Sequence, residues 1–149
     1  MTFQMTIPEL ETYMAEIFPQ VAQDFRIEAI KGDETVMRLL TSDRHLRPGG
    51  TVSGPSMFAL ADCVMYAAIL ARLGKVALAV TTNCSIDFMR KPAANTDLIG
   101  TARILKMGRS LVVGDVLLCS EGDSRPVARA SLTYSIPPAG NPQEGLKQG

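Results

Sequence analysis

The sequence predicts an α+β domain in which a strongly curved antiparallel sheet of five to six strands wraps one long central helix. Three observations predict it. Between Pro55 and Ala71 only Ser56 and Asp62 lack an apolar side chain, so a helix there is apolar on every face and needs cover all round. Strand-like runs follow it: LAVTTNCSIDF, DLIGTARILKM, SLVVGDVLLCS and PVARASLTYSI, the last three split by Gly108-Arg109 and by EGDSR, turns short enough for antiparallel hairpins. Two more such runs, DFRIEAI and ETVMRLLT, precede the helix and meet at Lys31-Gly32-Asp33, a hairpin signal.

Taken in order, Thr6, Pro8 and Glu9 start a short amphipathic helix that Pro19 ends. This N-terminal stretch carries acidic residues and no basic segment, so it does not read as a signal peptide. The loop SDRHLRPGGTV leads into the apolar helix, with Ser53 or Gly54 as cap and Pro55 at an early position where its missing N–H is no loss. Gly74 closes it. In LAVTTNCSIDF the apolar residues Leu78, Val80, Cys84, Ile86 and Phe88 alternate with polar ones, which predicts a strand with one buried face that Thr82 interrupts. In the last strand Ala128, Ala130, Leu132, Tyr134 and Ile136 share a face. Residues 1–136 read as a single domain and 137–149, rich in Pro, Gly and Gln, as a disordered tail.

Composition narrows the partners. Lys and Arg number 15 and Asp and Glu 15, so no general electrostatic attraction to nucleic acid or an anionic membrane exists, and an anionic ligand must be held by a local cluster. An Asp in mid-span and the strand-patterned remainder argue against membrane insertion. Cys63, Cys84 and Cys119 are odd in number, scattered and set in apolar runs, which reads as reduced thiols of a cytoplasmic protein. With one His and no acidic cluster, no metal is expected.

Asp62 is the most informative residue. On a helix its neighbours one turn away are Phe58, Ala59, Met65 and Tyr66, so its own face is apolar. A carboxylate in such a place has a partner, keeps a proton, or lines a cavity where it does chemistry. The helix that carries it lies in the hollow of the sheet, and the open edges of that sheet call for dimerisation that continues it. This is the hotdog arrangement.

The run GGTVSGPSMFALAD then resembles the stretch Gly-Thr-Val-His-Gly-Gly, a few hydrophobics and Leu-Ala-Asp of hotdog-fold acyl-CoA thioesterases of the phenylacetate-degradation type. The likeness continues through SIDFMRKPAANTDLIGTARILKMGRSLVVGDVLL to PVARASLTYSI. It implies hydrolysis of acyl-CoA thioesters to free acid and coenzyme A, which is part of the substrate, with no separate cofactor. It also implies a homodimer or dimer of dimers. Carried over by position, it implies Asp62 as the catalytic carboxylate, acting as general base or nucleophile. Gly54 falls on the glycine whose N–H polarises the thioester carbonyl. Thr81 or Thr82 falls near a hydroxyl that holds the attacking water. Ser53 stands where the family commonly has His, and Arg47 where relatives often have Asn or another polar helper. Pro55 replaces the second glycine of the motif.

The chemistry fits those residues. A glycine N–H at the start of an apolar helix is an oxyanion donor, and a carboxylate in a nonpolar site supplies a base. Gly54 and Asp62 lie eight residues apart, about 12 Å along one helix. Donor and base must each approach to about 3 Å of neighbouring reacting atoms, so the working pair is expected from two chains. Arg90 and Lys91, and the Gly108-Arg109-Ser110 turn, are the local clusters available for coenzyme A phosphates. Ser53 also reads as a plain helix cap and His45 as a loop contact. A serine hydrolase is disfavoured because GPSMF lacks the closing glycine of a nucleophile elbow. The alternative is an acyl-CoA binding or sensing dimer without turnover. Ser53 and Arg47 favour it, whereas Gly54 and Asp62 together favour catalysis.

Overall fold

The computed structural model describes residues 3–138. The expected tail lies outside the described residues except for Pro137 and Pro138, which carry no regular structure. Helix α1 (Ile7–Ile17) opens with a reciprocal cap: the Thr6 hydroxyl accepts from the Glu9 N–H at 3.3 Å, and the Glu9 carboxylate accepts from the Thr6 N–H at 3.3 Å. Pro19 ends α1 and, being suited to a first helical position, opens one further turn, α2 (Pro19–Ala22). Strands β1 (Phe25–Lys31) and β2 (Glu34–Leu39) pair across Gly32-Asp33, where Gly32 takes a φ of 58° that the tight turn demands. Helix α3 (Gly54–Leu73) follows, then β3 (Val80–Phe88), β4 (Leu98–Met107), β5 (Leu111–Ser120) and β6 (Pro126–Ser135). They form a six-stranded sheet in the order β1-β2-β4-β5-β6-β3, antiparallel throughout. This is the hotdog arrangement read from the sequence.

Helix α3 is long and apolar enough to cross a membrane, and here it is the core of the sheet's hollow instead. Leu60, Val64, Met65, Ile69 and Leu70 have no exposed surface. Close approach depends on small residues in the strands beneath. A Cβ at Gly114 of β5 would lie 2.3 Å from Met65 Cε, and one at Gly100 of β4 would lie 3.2 Å from Leu60 Cγ.

The far end of α3 is pinned by Arg72, which is 4% exposed. Its Nη1 donates to Thr35 Oγ1 at 2.8 Å and to the Ala68 carbonyl at 2.9 Å, and its Nη2 to the Gly32 and Glu34 carbonyls at 3.1 Å each. The guanidinium thus ties the helix to the β1–β2 turn. Arg72→Met keeps much of the stem packing and strands the buried Thr35 hydroxyl. It is expected to cost about 2–3 kcal/mol, read as a lower denaturant midpoint at unchanged slope.

Strand β3 departs from its expected burial. It is an edge strand, and α3 packs chiefly against β2, β4 and β5. Val80 is therefore 57% and Phe88 52% exposed, while Cys84 and Ile86 are half-buried. The register also slips between Thr81 and Asn83, so Thr82 is the extra residue of a bulge. That slip puts Val80 on the opposite face from Cys84, Ile86 and Phe88, correcting the single apolar face expected of them.

Candidate active site

Ser53 caps α3: its hydroxyl accepts from the Ser56 N–H at 3.3 Å and donates to Ser56 Oγ at 3.1 Å. Its own N–H donates to the His45 carbonyl at 2.8 Å, which ties the preceding loop to the helix start. His45 is the loop anchor expected of it, buried, with Nδ1 accepting from the Ser42 N–H at 3.0 Å. Burial, and then the Arg44 charge, lowers its pKa, so the ring is neutral near pH 7 and suited to that acceptor role. Gly54 is the first residue of α3, and its N–H has no acceptor among the described residues. The Phe88 ring lies across it, 3.5 Å from where a Cβ would stand.

Two turns further on is Asp62, half-buried. Its Oδ1 accepts from Thr81 Oγ1 at 2.5 Å and from the Tyr134 hydroxyl at 2.8 Å. The bulge delivers the threonine. Thr81 pairs with Tyr134 and Asn83 with Thr133, so Thr81 joins Cys84 on the helix-facing side, which strict alternation would forbid. Thr82 faces outward and donates to the Thr133 carbonyl at 3.3 Å. The structure thus separates the two threonines: Thr81 is at the carboxylate and Thr82 is not.

Tyr134 is the partner that sequence reasoning missed. It is 3% exposed, and burial followed by the Asp62 charge pushes its phenol far above the usual range, so it is a donor and not a base. A signal existed, since a tyrosine on a buried strand face needs an acceptor for its hydroxyl. Cys63, next to Asp62, is pushed up to about 12, mainly by burial and then by Asp62. It is a thiol at neutral pH and no nucleophile.

An aromatic column backs the carboxylate. Tyr66 stacks on Tyr134 with centroids 6.1 Å apart, and Phe18 meets Tyr66 edge-on at 6.4 Å. Beside it opens a cavity of about 350 Å³ lined by Asp62, Thr81, Tyr134, Tyr66, Phe18 and Ile17. A larger cavity, about 540 Å³, lies among Asp87, Arg103, Asp115 and Arg129 and contains none of the expected site residues.

The remaining expected residues are spread over the surface. Arg47 is exposed, and its side chain makes no hydrogen bond or ion pair among the described residues. Arg90 and Lys91 are exposed just beyond Phe88, at one end of β3. The Gly108-Arg109-Ser110 turn is closed by Gly108 N–H donating to the Leu111 carbonyl at 2.8 Å. Leu111 and Val80 both pair with Ser135, so this turn stands at the other end of β3. A single chain therefore keeps two groups apart: Gly54, Phe88, Arg90 and Lys91 at one end, and Asp62, Thr81, Tyr134 and Arg109 at the other.

No curated protein matches the chain. Among solved structures, a candidate thioesterase from Silicibacter sp. TM1040 is 59% identical, with 93% of this chain and 96% of that one covered and a TM-score of 0.87. A mutant of the phenylacetic acid degradation protein PaaI from Thermus thermophilus is 24% identical over 80% of this chain and 99% of that one, with a TM-score of 0.68. A hypothetical thioesterase from Streptococcus pneumoniae, solved with coenzyme A, is 20% identical over 76% and 89%, with a TM-score of 0.66. The last two share the fold. The model of the Thioesterase superfamily matches residues 49–127, more than half of the chain and the whole stretch from the helix-start loop through β5. The core helix with its N-terminal glycine, the carboxylate two turns on and strands β3 to β5 fall within that match, and the chain belongs to the thioesterase superfamily.

Proposed function

We propose that this chain hydrolyses acyl-CoA thioesters to free acid and coenzyme A as a homodimer, each site taking Gly54 from one protomer and Asp62 from its partner. The observation that carries the proposal is the division of site residues between the two ends of β3, an edge strand whose outer side has no partner strand among the described residues and whose Val80 and Phe88 are exposed. Twofold antiparallel pairing of that edge sets the Phe88 end of one copy against the Val80 end of the other. Gly54, Arg90 and Lys91 then meet the partner's Asp62, Thr81 and Arg109. The same pairing removes an edge that would otherwise invite aggregation.

In such a site the thioester carbonyl accepts from the Gly54 N–H, where the N-terminus of α3 favours developing negative charge. Asp62 then acts as base toward water or as nucleophile. The acyl group enters the cavity beside Tyr66 and Phe18. The phosphates of coenzyme A lie toward Arg90, Lys91 and the Gly108-Arg109-Ser110 turn, and the coenzyme A held by the pneumococcal structure supports a ligand of that class. Likeness to PaaI supports the phenylacetate-degradation type within the superfamily. The unpaired cysteines support a reducing, cytoplasmic setting.

The test uses two inactive parents. Gly54→Pro deletes the N–H at a first helical position that tolerates proline, and its added Cβ meets the Phe88 ring at an ordinary 3.5 Å. Each of Gly54→Pro and Asp62→Asn alone leaves both sites defective. Unfolded together and refolded at equal amounts, they form hybrids with one intact site, and about a quarter of wild-type thiol release is expected for random pairing. A mixture no better than its parents would place both residues in one chain's site. Tight acyl-CoA binding by calorimetry with no turnover at any chain length would replace hydrolysis by sensing.

A further inference from the structure

We infer that Tyr134 is a positioning residue which, with Thr81, holds one oxygen of Asp62 and leaves the other to face the reacting atoms. The inference rests on Asp62 being the reacting carboxylate. The two oxygens of a carboxylate are equivalent until their neighbours distinguish them. Here Tyr134 at 2.8 Å and Thr81 at 2.5 Å both donate to Oδ1, and no donor reaches Oδ2 among the described residues. The torsion that turns a carboxylate is broad and roughly twofold, so packing alone does not select an orientation. Turning it here breaks both bonds at once.

The clamp is itself held. The Tyr134 ring lies flat on Tyr66 at an interplanar angle of 19°. Tyr66 is tied in turn by its hydroxyl, which donates to the Ala77 carbonyl at 2.6 Å. The Tyr134 hydroxyl also lies 3.0 Å from the Asp62 carbonyl oxygen, so it spans the side chain and the backbone of one residue. Thr81 comes from the edge strand and Tyr134 from β6, so the helix carboxylate is aimed by two neighbouring strands. Oδ2 is the oxygen left to take a proton from water or to attack the acyl carbon.

Tyr134→Phe removes the hydroxyl and keeps the ring, so stacking on Tyr66 persists. Its kcat is expected to fall roughly 10-fold with KM nearly unchanged, as misorientation of a reacting group predicts. Thr81→Val is expected to do the same. The double variant should fall by more than about 100-fold, because one remaining donor still orients the carboxylate. Wild-type kcat in both single variants, with Asp62→Asn inactive beside them, would overturn the clamp and leave the Asp62 reading intact. Equal rates in wild type and Asp62→Asn would overturn both. A crystal structure of the double variant reads the clamp without turnover. A rotated Asp62 carboxylate supports it, and an unmoved one overturns it.

Discussion

Asp62→Asn is expected to lower thiol release from acyl-CoA substrates by at least about 100-fold, the usual minimum for removing a general base or nucleophile. The amide is nearly isosteric, and its oxygen can still accept from Thr81 and Tyr134, so the local geometry survives. What disappears is the ability to take a proton or to form a bond to carbon. Little stability should be lost, because a neutral amide on a half-buried helix face carries less desolvation cost than a charge. The measurement is saturating thiol release against several acyl chain lengths, with a thermal melt of each protein. A rate within about threefold of wild type would remove Asp62 from the chemistry, since even modest acid–base catalysis is worth more.

Gly114→Val is expected to cost about 3 kcal/mol or more of stability, at the upper end for an overpacked core. Its Cβ would stand 2.3 Å from Met65 Cε and 2.7 Å from the Arg103 carbonyl oxygen. The methionine end can swing aside. The carbonyl belongs to the β4 backbone, and β4 already slips register between Ile104 and Lys106 opposite this point. Relief therefore requires moving either the strand or the helix that carries Asp62. A fall in melting temperature of about 10 °C is expected for a domain of this size, with loss of soluble protein on expression. An unchanged melt would mean that β4 yields freely there.

Legibility in the sequence differs by element. The central helix was legible because its apolar character, cap and closing glycine all agree, and each is local. The separation of Gly54 from Asp62 was legible for the same reason, helical rise being constant. Strand β3 was half legible. Its alternation identified a strand, but edge position depends on which strands flank it, and β3 pairs with β6 across a crossover that no local pattern specifies. Thr82 stood out as an interruption, yet only pairing with β6 shows it to be a bulge. Alternation places Tyr134 on the buried face of β6 and says nothing of its acceptor. Arg90-Lys91 and the Arg109 turn are legible as separate local clusters, but that they stand at opposite ends of one strand is visible only in the fold.

The bulge makes the site depend on the pairing register of β3 as well as on the kinds of residue it carries. The Thr82 side chain makes no hydrogen bond to Asp62 or Tyr134, and its hydroxyl donates to the neighbouring Thr133 carbonyl. Were Thr82 drawn into regular pairing, every side chain before it would turn over relative to the sheet. Thr82 would then stand opposite Tyr134 and Thr81 would face solvent. Leaving one residue out of the ladder thus decides which of two adjacent threonines meets the helix carboxylate.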